Sequence, residues 1–404
     1  MMPSDMDIFF RVFFFMLGAM LGSFLNVCIV RMPRNESIVF PSSHCPQCKA
    51  PIHWFDNIPL ISFCILGRRC RSCRQQIPLR YFAVELITAC FFVWSYMVFG
   101  LSWALVPALT LVGALIVASG VDLEWRIIPD EISVGGMFAG FVLSAVFPAL
   151  HKGPLPNILS AGSKTAVIMA VACMALHVFK LLKLRIAFEK EDLQIFVLGG
   201  ALLALQGMAI YLTGIFPYFT ASLSALADAL QGAVIGGCSL WLTGLIGEVI
   251  ISKRVVTGFD FKGVVEAPDG LLKALQASGY VDGQGILQKG FRDVPAAGDL
   301  KLPAGVEAQR KDIFEILKAV DTGGVMGWGD VKLLAMAGAF LGWQAALVAF
   351  FVAPFFGILP GVVKIMRRQD TAIAYGPFLA VGIIVALYWG DGVIAWLLAL
   401  YGMN

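Results

Sequence analysis

Long apolar segments alternate with shorter polar ones along nearly the whole chain. A helix of roughly 20 apolar residues crosses a hydrocarbon core of about 30 Å. Ten segments reach or approach this length: 8–30, 81–100, 101–121, 132–150, 164–182, 193–216, 223–251, 331–341, 343–363 and 377–400. The pattern predicts an all-α polytopic membrane protein with about ten transmembrane helices.

The eighth and the first of these segments have special features. The eighth is short, because Gly342 interrupts the apolar run after Leu341. The first has no small-residue cleavage site followed by a soluble domain, so we interpret it as a retained helix and not as a signal peptide.

The composition agrees with a chain whose main solvent is lipid. Hydrophobic residues make up 59% of the 404 positions, charged residues only 14%, and the mean hydropathy is +0.82. A formal net charge of +3 is too small to indicate nucleic-acid binding. We therefore expect the bilayer, and no nucleic acid, among its partners.

The positions of the basic residues predict the orientation of the chain. Cytoplasmic loops of membrane proteins carry an excess of Lys and Arg. Basic residues fall in every second loop, starting with the loop after the first segment. This places the N-terminus outside and two polar segments, 31–80 and 252–324, in the cytoplasm. The predicted division is 1–30 as the first helix, 31–80 and 252–324 as cytoplasmic parts, and 81–251 and 325–404 as membrane helices.

Four cysteines in the first cytoplasmic segment have the spacing of a metal site. Cys45 and Cys48 form one CxxC unit, and Cys70 and Cys73 form a second. Two such units, each presenting two thiolates, are typical of a structural zinc site with four sulfur ligands. Several basic residues surround the units and would offset the net charge of about −2 on such a centre. The pattern predicts a zinc-ribbon-like loop.

Other interpretations of these residues stay open. The pairs could instead form disulfides or remain free thiols, although a reducing cytoplasm disfavours disulfides. His44 or His53 could replace a cysteine ligand, although four sulfurs already complete the site. The remaining cysteines stand singly in apolar surroundings, which is typical of small core residues: Cys28, Cys64, Cys90, Cys173 and Cys238.

Two aspartates at the ends of predicted membrane helices are candidates for catalysis. Asp122 ends the third apolar segment, and Asp330 precedes the eighth in the sequence GWGD. A carboxylate at this depth costs a few kcal/mol and is therefore a functional candidate. By the predicted topology both lie at the cytoplasmic edge. Two adjoining carboxylates share one proton, which is the arrangement of an aspartic protease.

Structural roles are the alternative for each acidic residue. Asp330 would also suit the N-terminus of a helix, where a carboxylate accepts backbone N–H groups. Asp122 could be a polar helix end, and Glu124, Asp130 and Glu131 are interpreted as solvated loop charges. Lys332 is expected to pair with an acidic neighbour and not to take part in catalysis.

Six separated motifs resemble those of one known family, the type IV prepilin peptidases, which are GxGD aspartic proteases that also process type II secretion pseudopilins. The motifs are GSFLNV at 22–27 with Arg31 and Pro33, WFDNIPL at 54–60, RY at 80–81 with VE at 84–85, the stretch 122–130, GWGDVKLL at 327–334 and YGPF at 375–378. They occur in the family's order and span about half of the chain.

The resemblance implies an endopeptidase that removes a short leader from type IV prepilins or pseudopilins after a glycine. It implies that Asp122 and Asp330 form the catalytic pair, at the cytoplasmic face of the bacterial inner membrane. Family members with the four-cysteine loop also methylate the new N-terminus with S-adenosylmethionine. No glycine-rich nucleotide fingerprint is visible in the sequence, so this cofactor is implied by the resemblance alone.

The sequence departs from the family pattern in two places. The region near 164–216 adds a helical pair to the usual eight helices, and 252–324 adds a polar insert. Two extra helices preserve the parity that keeps Asp330 on the cytoplasmic side. The insert contains two helix-like runs, near 270–277 and 306–320.

Two functions of other classes compete with the peptidase. A proton- or ion-coupled transporter with a structural zinc loop would use membrane carboxylates as a relay. A scaffold would carry the zinc ribbon without any chemistry. Transporters often contain internal repeats and charges in the middle of the membrane, and the sequence has neither.

Overall fold

The fold is taken from a computed structural model, which describes residues 4–34, 36–45, 47–151, 155–184, 190–215, 220–255, 327–366 and 374–400. Within these ranges the chain forms eleven α-helices and no β-strand. They are α1 (Ser4–Arg31), α2 (Ile61–Ile65), α3 (Leu79–Phe99), α4 (Leu105–Trp125), α5 (Asp130–Val146), α6 (Leu155–Leu184), α7 (Lys190–Ile215), α8 (Thr220–Val255), α9 (Trp328–Leu341), α10 (Trp343–Met366) and α11 (Gly376–Leu400).

Six of these helices are long and apolar enough to cross a membrane. The stretches are Asp5–Arg34, Leu79–Phe99, Leu105–Trp125, Ala221–Gly247, Trp343–Val363 and Gly376–Trp396. Helices α6 and α7 carry shorter apolar stretches, Lys164–Phe179 and Val197–Leu212, and α5 and α9 have 17 and 14 residues. The predicted all-α membrane fold is confirmed, and every predicted segment is helical. The count of ten transmembrane helices stays a prediction.

The insert predicted at 252–324 lies mostly outside the described residues, and so do both of its helix-like runs. Its predicted start at residue 252 falls inside α8, which continues to Val255. The predicted break after the eighth segment is present: α9 ends at Leu341, and Gly342 has a φ of +82° before α10 begins.

The chain divides into two compact units. The first contains Met1–Val171, Lys190–Leu240 and Trp328–Asn404, and the second contains Ala172–Glu189 and Trp241–Gly327. In the second unit the His177 ring lies 5.5 Å from the Trp241 ring. Both candidate aspartates and all four candidate metal ligands belong to the first unit.

Helices α1 and α3 pack closely along their length. A Cβ added at Gly22 of α1 would lie 2.7 Å from the Glu85 Cα of α3, so the absence of a side chain allows this approach. Cys28 and Ile29 of α1 join Val84 of α3 in a buried cluster with Val117 and Val121 of α4. Through this cluster the pair of helices α1 and α3 packs against α4, and Val121 of the cluster directly precedes Asp122.

Helices α8 and α9 cross at an even closer contact. Gly232 and Gly338 lie backbone against backbone, so that a Cβ on either residue would overlap the other's carbonyl group. One turn along, a Cβ at Gly236 would lie 2.7 Å from the Leu334 carbonyl oxygen. On α5, Gly136 contacts the Met336 side chain. Helix α9, which carries Asp330, is therefore held from two sides.

Candidate active site and metal centre

Asp122 lies in the last turn of α4, where its side chain is turned into the protein. The residue is only 6% exposed. Its Oδ2 accepts a hydrogen bond of 2.9 Å from the backbone N–H of Gly376, the first residue of α11. Arg126, with a φ of +52°, ends α4 and donates its N–H to the Asp122 carbonyl oxygen at 2.9 Å. The carboxylate is thus held between two helices.

Asp330 lies in the first turn of α9 and is half-buried. The Asp122 carboxylate is close enough to interact with it electrostatically. Gly329, just before it, packs against Ile128, which belongs to the connection between α4 and α5. The structure therefore brings together, from α4 and α9, the two aspartates that the sequence singled out.

Tyr375 is a third member of this group. Burial and the nearby charge of Asp330 raise the pKa of the Tyr375 phenol to about 12. Its neighbour Gly376 donates the hydrogen bond to Asp122. The start of α11 therefore lies beside both aspartates. The sequence motif at 375–378 pointed to this segment, but it assigned no role to the Gly376 backbone.

Two ion pairs lie close in sequence to Asp122 and Asp330. Lys332 Nζ of α9 lies 2.6 Å from Asp130 Oδ1 of α5, and Arg80 at the start of α3 pairs with Glu124 of α4. The expectation that Lys332 pairs with an acidic neighbour is confirmed. Asp130 and Glu124 were expected to be solvated loop charges; their side chains are 55% and 40% exposed, but both are ion-paired.

The four predicted metal ligands form a cluster. The Sγ atoms of Cys45, Cys48, Cys70 and Cys73 all lie within 4.8 Å of one another. The Cys45 and Cys73 sulfurs are 3.8 Å apart, close to the roughly 3.8 Å that tetrahedral coordination with bonds of about 2.3 Å requires. The cluster can hold a metal ion such as zinc.

Each CxxC unit is folded by the same local hydrogen bonds. Lys49 N donates to Cys45 O at 2.9 Å and Arg74 N donates to Cys70 O at 3.0 Å. Both donors have left-handed backbones, with φ of 59° and 60°. The backbone N–H groups of Cys73 and Ser72 lower the pKa of the Cys70 thiol to about 7, which favours the thiolate form that binds metals. Burial and the neighbouring thiols raise the pKa of the Cys73 thiol to about 11, which opposes the thiolate form.

The histidines are not part of this cluster. His44 Nδ1 lies 2.9 Å from the Ser42 carbonyl oxygen, and the His53 ring stacks on Phe55 with centroids 5.3 Å apart. Among the described residues, the group of possible ligands consists of the four cysteines alone. The five single cysteines remain outside it.

Two ranges of the chain match known protein families. Residues 16–99 match the Bacterial Peptidase A24 N-terminal domain, and residues 313–362 match the Type IV leader peptidase family. A prepilin leader peptidase/N-methyltransferase of Myxococcus xanthus is 35% identical over 61% of this chain and 68% of its own. This chain belongs to the type IV leader peptidase family.

Two further relatives carry the same name. The Klebsiella pneumoniae protein is 33% identical over 48% of this chain and 86% of its own. The Pseudomonas aeruginosa protein is 24% identical over 93% of this chain and 89% of its own. No solved structure matches the chain. In this leader peptidase the matched ranges contain the four-cysteine loop and Asp330. Because it has six long apolar helices, the protein is a multi-pass inner-membrane protein like these relatives.

Proposed function

We propose that this leader peptidase cleaves the leader from type IV prepilins or pseudopilins at the cytoplasmic face and then N-methylates the new N-terminus. The proposal rests mainly on one observation: the Asp122 and Asp330 carboxylates are close enough to interact electrostatically, at one end of the helices. Relatives over both matched ranges are named for these two reactions. Transport is not supported, because the relatives are named for peptide chemistry.

The cleavage mechanism follows from a carboxylate pair that shares one proton. One carboxylate takes a proton from a water molecule, which attacks the carbonyl carbon of the scissile bond. The other, protonated, carboxyl group donates its hydrogen to the carbonyl oxygen and stabilises the charge that develops there. The Gly376 N–H orients Asp122, and the Lys332–Asp130 pair joins the start of α9 to α5.

The four-cysteine loop is proposed to hold one structural zinc ion. The cluster supplies four sulfur donors within 4.8 Å of one another, and the Cys45 and Cys73 sulfurs are at the separation of about 3.8 Å that tetrahedral coordination needs. A closed four-sulfur site has no open position for a substrate, so its contribution is to the fold of the loop and not to bond cleavage.

The cytoplasmic location of the site is proposed from the basic residues near the aspartates. Arg80 pairs with Glu124, two residues after Asp122, and Lys332 follows Asp330 by two residues. Cytoplasmic loops are the ones enriched in such residues. S-adenosylmethionine is the methyl donor that the family implies. No strand followed by a glycine-rich turn is present in the described ranges, and the donor's binding residues are therefore left unassigned.

The decisive experiment co-expresses this protein with a prepilin and measures the pilin mass. The wild-type protein should remove the leader and add one methyl group. Asp122→Asn and Asp330→Asn should each lower cleavage by about 10³-fold, because removal of a general acid or base costs 10²- to 10⁴-fold. Glu131→Gln, which changes an exposed carboxylate at the start of α5, is the control and should cleave normally. Near-normal cleavage by either site variant contradicts the proposal.

A further inference from the structure

A buried carboxylate lies between α1 and α3, apart from the two aspartates. Glu85 of α3 is 8% exposed. Its Oε2 accepts a hydrogen bond of 2.8 Å from the Leu60 backbone N–H, and Ser23 of α1 also interacts with it. No ion pair among the described residues includes Glu85. A buried carboxylate that has only neutral donors is costly and therefore a candidate for a ligand-binding role.

A second buried polar side chain, on α1, bonds to the α3 backbone one turn before Glu85. Asn26 of α1 is 1% exposed, and its Nδ2 donates to the carbonyl oxygens of Tyr81 and Gly22. Its Oδ1 is buried without a hydrogen-bond partner. Gly22 packs on Glu85 Cα, and Tyr81 is one turn from Glu85 on α3. Asn26 and Glu85 are thus both buried polar side chains on the contact between two apolar helices, and each is within one turn of Gly22 or Tyr81.

The backbone that covers Glu85 is strained. Leu60 has φ of 62° and ψ of −49°, and Ile61 N donates to Pro59 O at 2.6 Å. These values describe a γ-turn of the rare form, which costs energy for a residue with a side chain. The turn directs the Leu60 N–H at Glu85. Strain of this kind persists where the surrounding structure imposes it, often at functional sites.

The polar site is at the same end of the helices as the aspartates. Glu85 lies near the start of α3 and Asp122 near the end of the following helix, α4. Ile29, one turn from Asn26, contacts Gly120 of α4, and Arg80 of α3 pairs with Glu124 of α4. Glu85 therefore lies at the same end of the packed helices as the aspartates at which the new peptide end is released.

We propose that Glu85 and Asn26 bind the α-ammonium group of the newly cleaved pilin and that Glu85 takes one of its protons. This inference rests on the proposed methyl transfer. An ammonium nitrogen has no lone pair and cannot be methylated. Transfer of one proton from nitrogen to a Glu85 oxygen leaves a neutral amine and a neutral carboxylic acid, which a buried site tolerates better than it tolerates two charges.

The test separates the charge of Glu85 from its contact with Leu60. Glu85→Gln keeps an acceptor for the Leu60 N–H but removes the charge, whereas Glu85→Ala removes both. Glu131→Gln, an exposed carboxylate at the start of α5, is the matched control. With a co-expressed prepilin, Glu85→Gln should cleave normally and methylate about 10²-fold more slowly. Equal loss of cleavage and methylation, or normal methylation, overturns the proposal.

Binding supplies a readout that does not depend on methylation. A synthetic peptide with the mature pilin N-terminus should bind wild-type protein more tightly with a free amine than with an acetylated one, by about tenfold or more. Glu85→Gln should lose this preference, and Glu131→Gln should keep it. A preference for the free amine that survives in Glu85→Gln overturns the proposal. The proposal is also wrong if Glu85→Ala loses methylation while Glu85→Gln keeps it, because the carboxylate would then serve only its contact with Leu60.

Two further arms distinguish related outcomes. If Glu85→Gln no longer distinguishes S-adenosylmethionine from its thioether product, which lacks the sulfonium charge, while the peptide preference persists, the carboxylate serves the sulfonium and the assignment to the ammonium is wrong. If the wild-type protein cleaves but does not methylate, the transferase part of the proposed function fails. The peptide preference then still decides whether Glu85 binds the amine.

Discussion

The two candidate sites of this protein are held together in different ways. The cysteine cluster is formed by one continuous segment, 45–73, and each half is closed by hydrogen bonds between residues close to its cysteines. The aspartate site joins three distant segments, and its best-defined contact links residues 254 positions apart. Local turns therefore shape the metal site, whereas helix packing shapes the aspartate site.

This difference predicts that substitutions in the two sites will have different effects. A change at a cysteine should act mainly on the loop, because the hydrogen bonds that close each half of the cluster join residues close in sequence; the contact of Leu60 with Glu85 is the route by which it could also reach α3. A change at a helix contact should act on the aspartates even when it leaves their side chains intact, since their relative position depends on packing. Three experiments, from the largest expected effect to the smallest, test this contrast.

The largest effect is expected from Cys70→Ser, which removes one of four sulfur ligands. Binding of structural zinc supplies about 10 kcal/mol or more of folding free energy, so the loop should lose its metal and become open to proteases. Elemental analysis and limited proteolysis measure both effects, and thermal unfolding of the membrane helices should change little. Cys64→Ser, in the same loop but outside the cluster, is the control. Unchanged zinc in Cys70→Ser would rule out the four-sulfur site.

The second variant, Gly376→Ala, displaces the Asp122 carboxylate without changing either aspartate. The new Cβ would lie 2.7 Å from Asp122 Oδ2, so the carboxylate must move. A displacement of about 1 Å in a catalytic group costs about 10²-fold in rate. Cleavage assays in membranes should show this loss, with metal content unchanged.

Gly390→Ala provides a control on the same helix. Nothing lies within 4 Å of a Cβ at that position, and we expect cleavage to stay within about twofold of wild type, as for surface substitutions. If the two glycine variants behave alike, the contact between Gly376 and Asp122 does not position the site.

The smallest effect is expected at the Lys332–Asp130 pair, which joins α9 to α5. The side chains are 29% and 55% exposed, and pairs of this kind contribute about 0.2–1 kcal/mol. A double-mutant cycle with Lys332→Met and Asp130→Asn should give a coupling of at most about fivefold in kcat/KM. A coupling near the size of the Gly376 effect would show that the ion pair, and not helix packing, positions Asp330.

The sequence predicted the chemistry of both sites better than their surroundings. Cys45, Cys48, Cys70 and Cys73 were identified by spacing, and their sulfurs do converge. Asp122 and Asp330 were identified because carboxylates are rare at the ends of apolar helices. The Gly376 donor, the partner of Glu124 and the Leu60–Glu85 contact were not predicted, and for Lys332 an acidic partner was predicted without its identity.

The amino-acid sequence by itself determined the helices, the metal-binding spacing and the acidic candidates, because each depends on residues that are close in the chain. Only the tertiary structure decided which helices meet and which backbone groups face the carboxylates. A helix that is apolar on all sides gives no periodic signal of the face it turns to a neighbour. Close contacts such as Gly232 with Gly338 set those faces, and they join residues more than 100 positions apart.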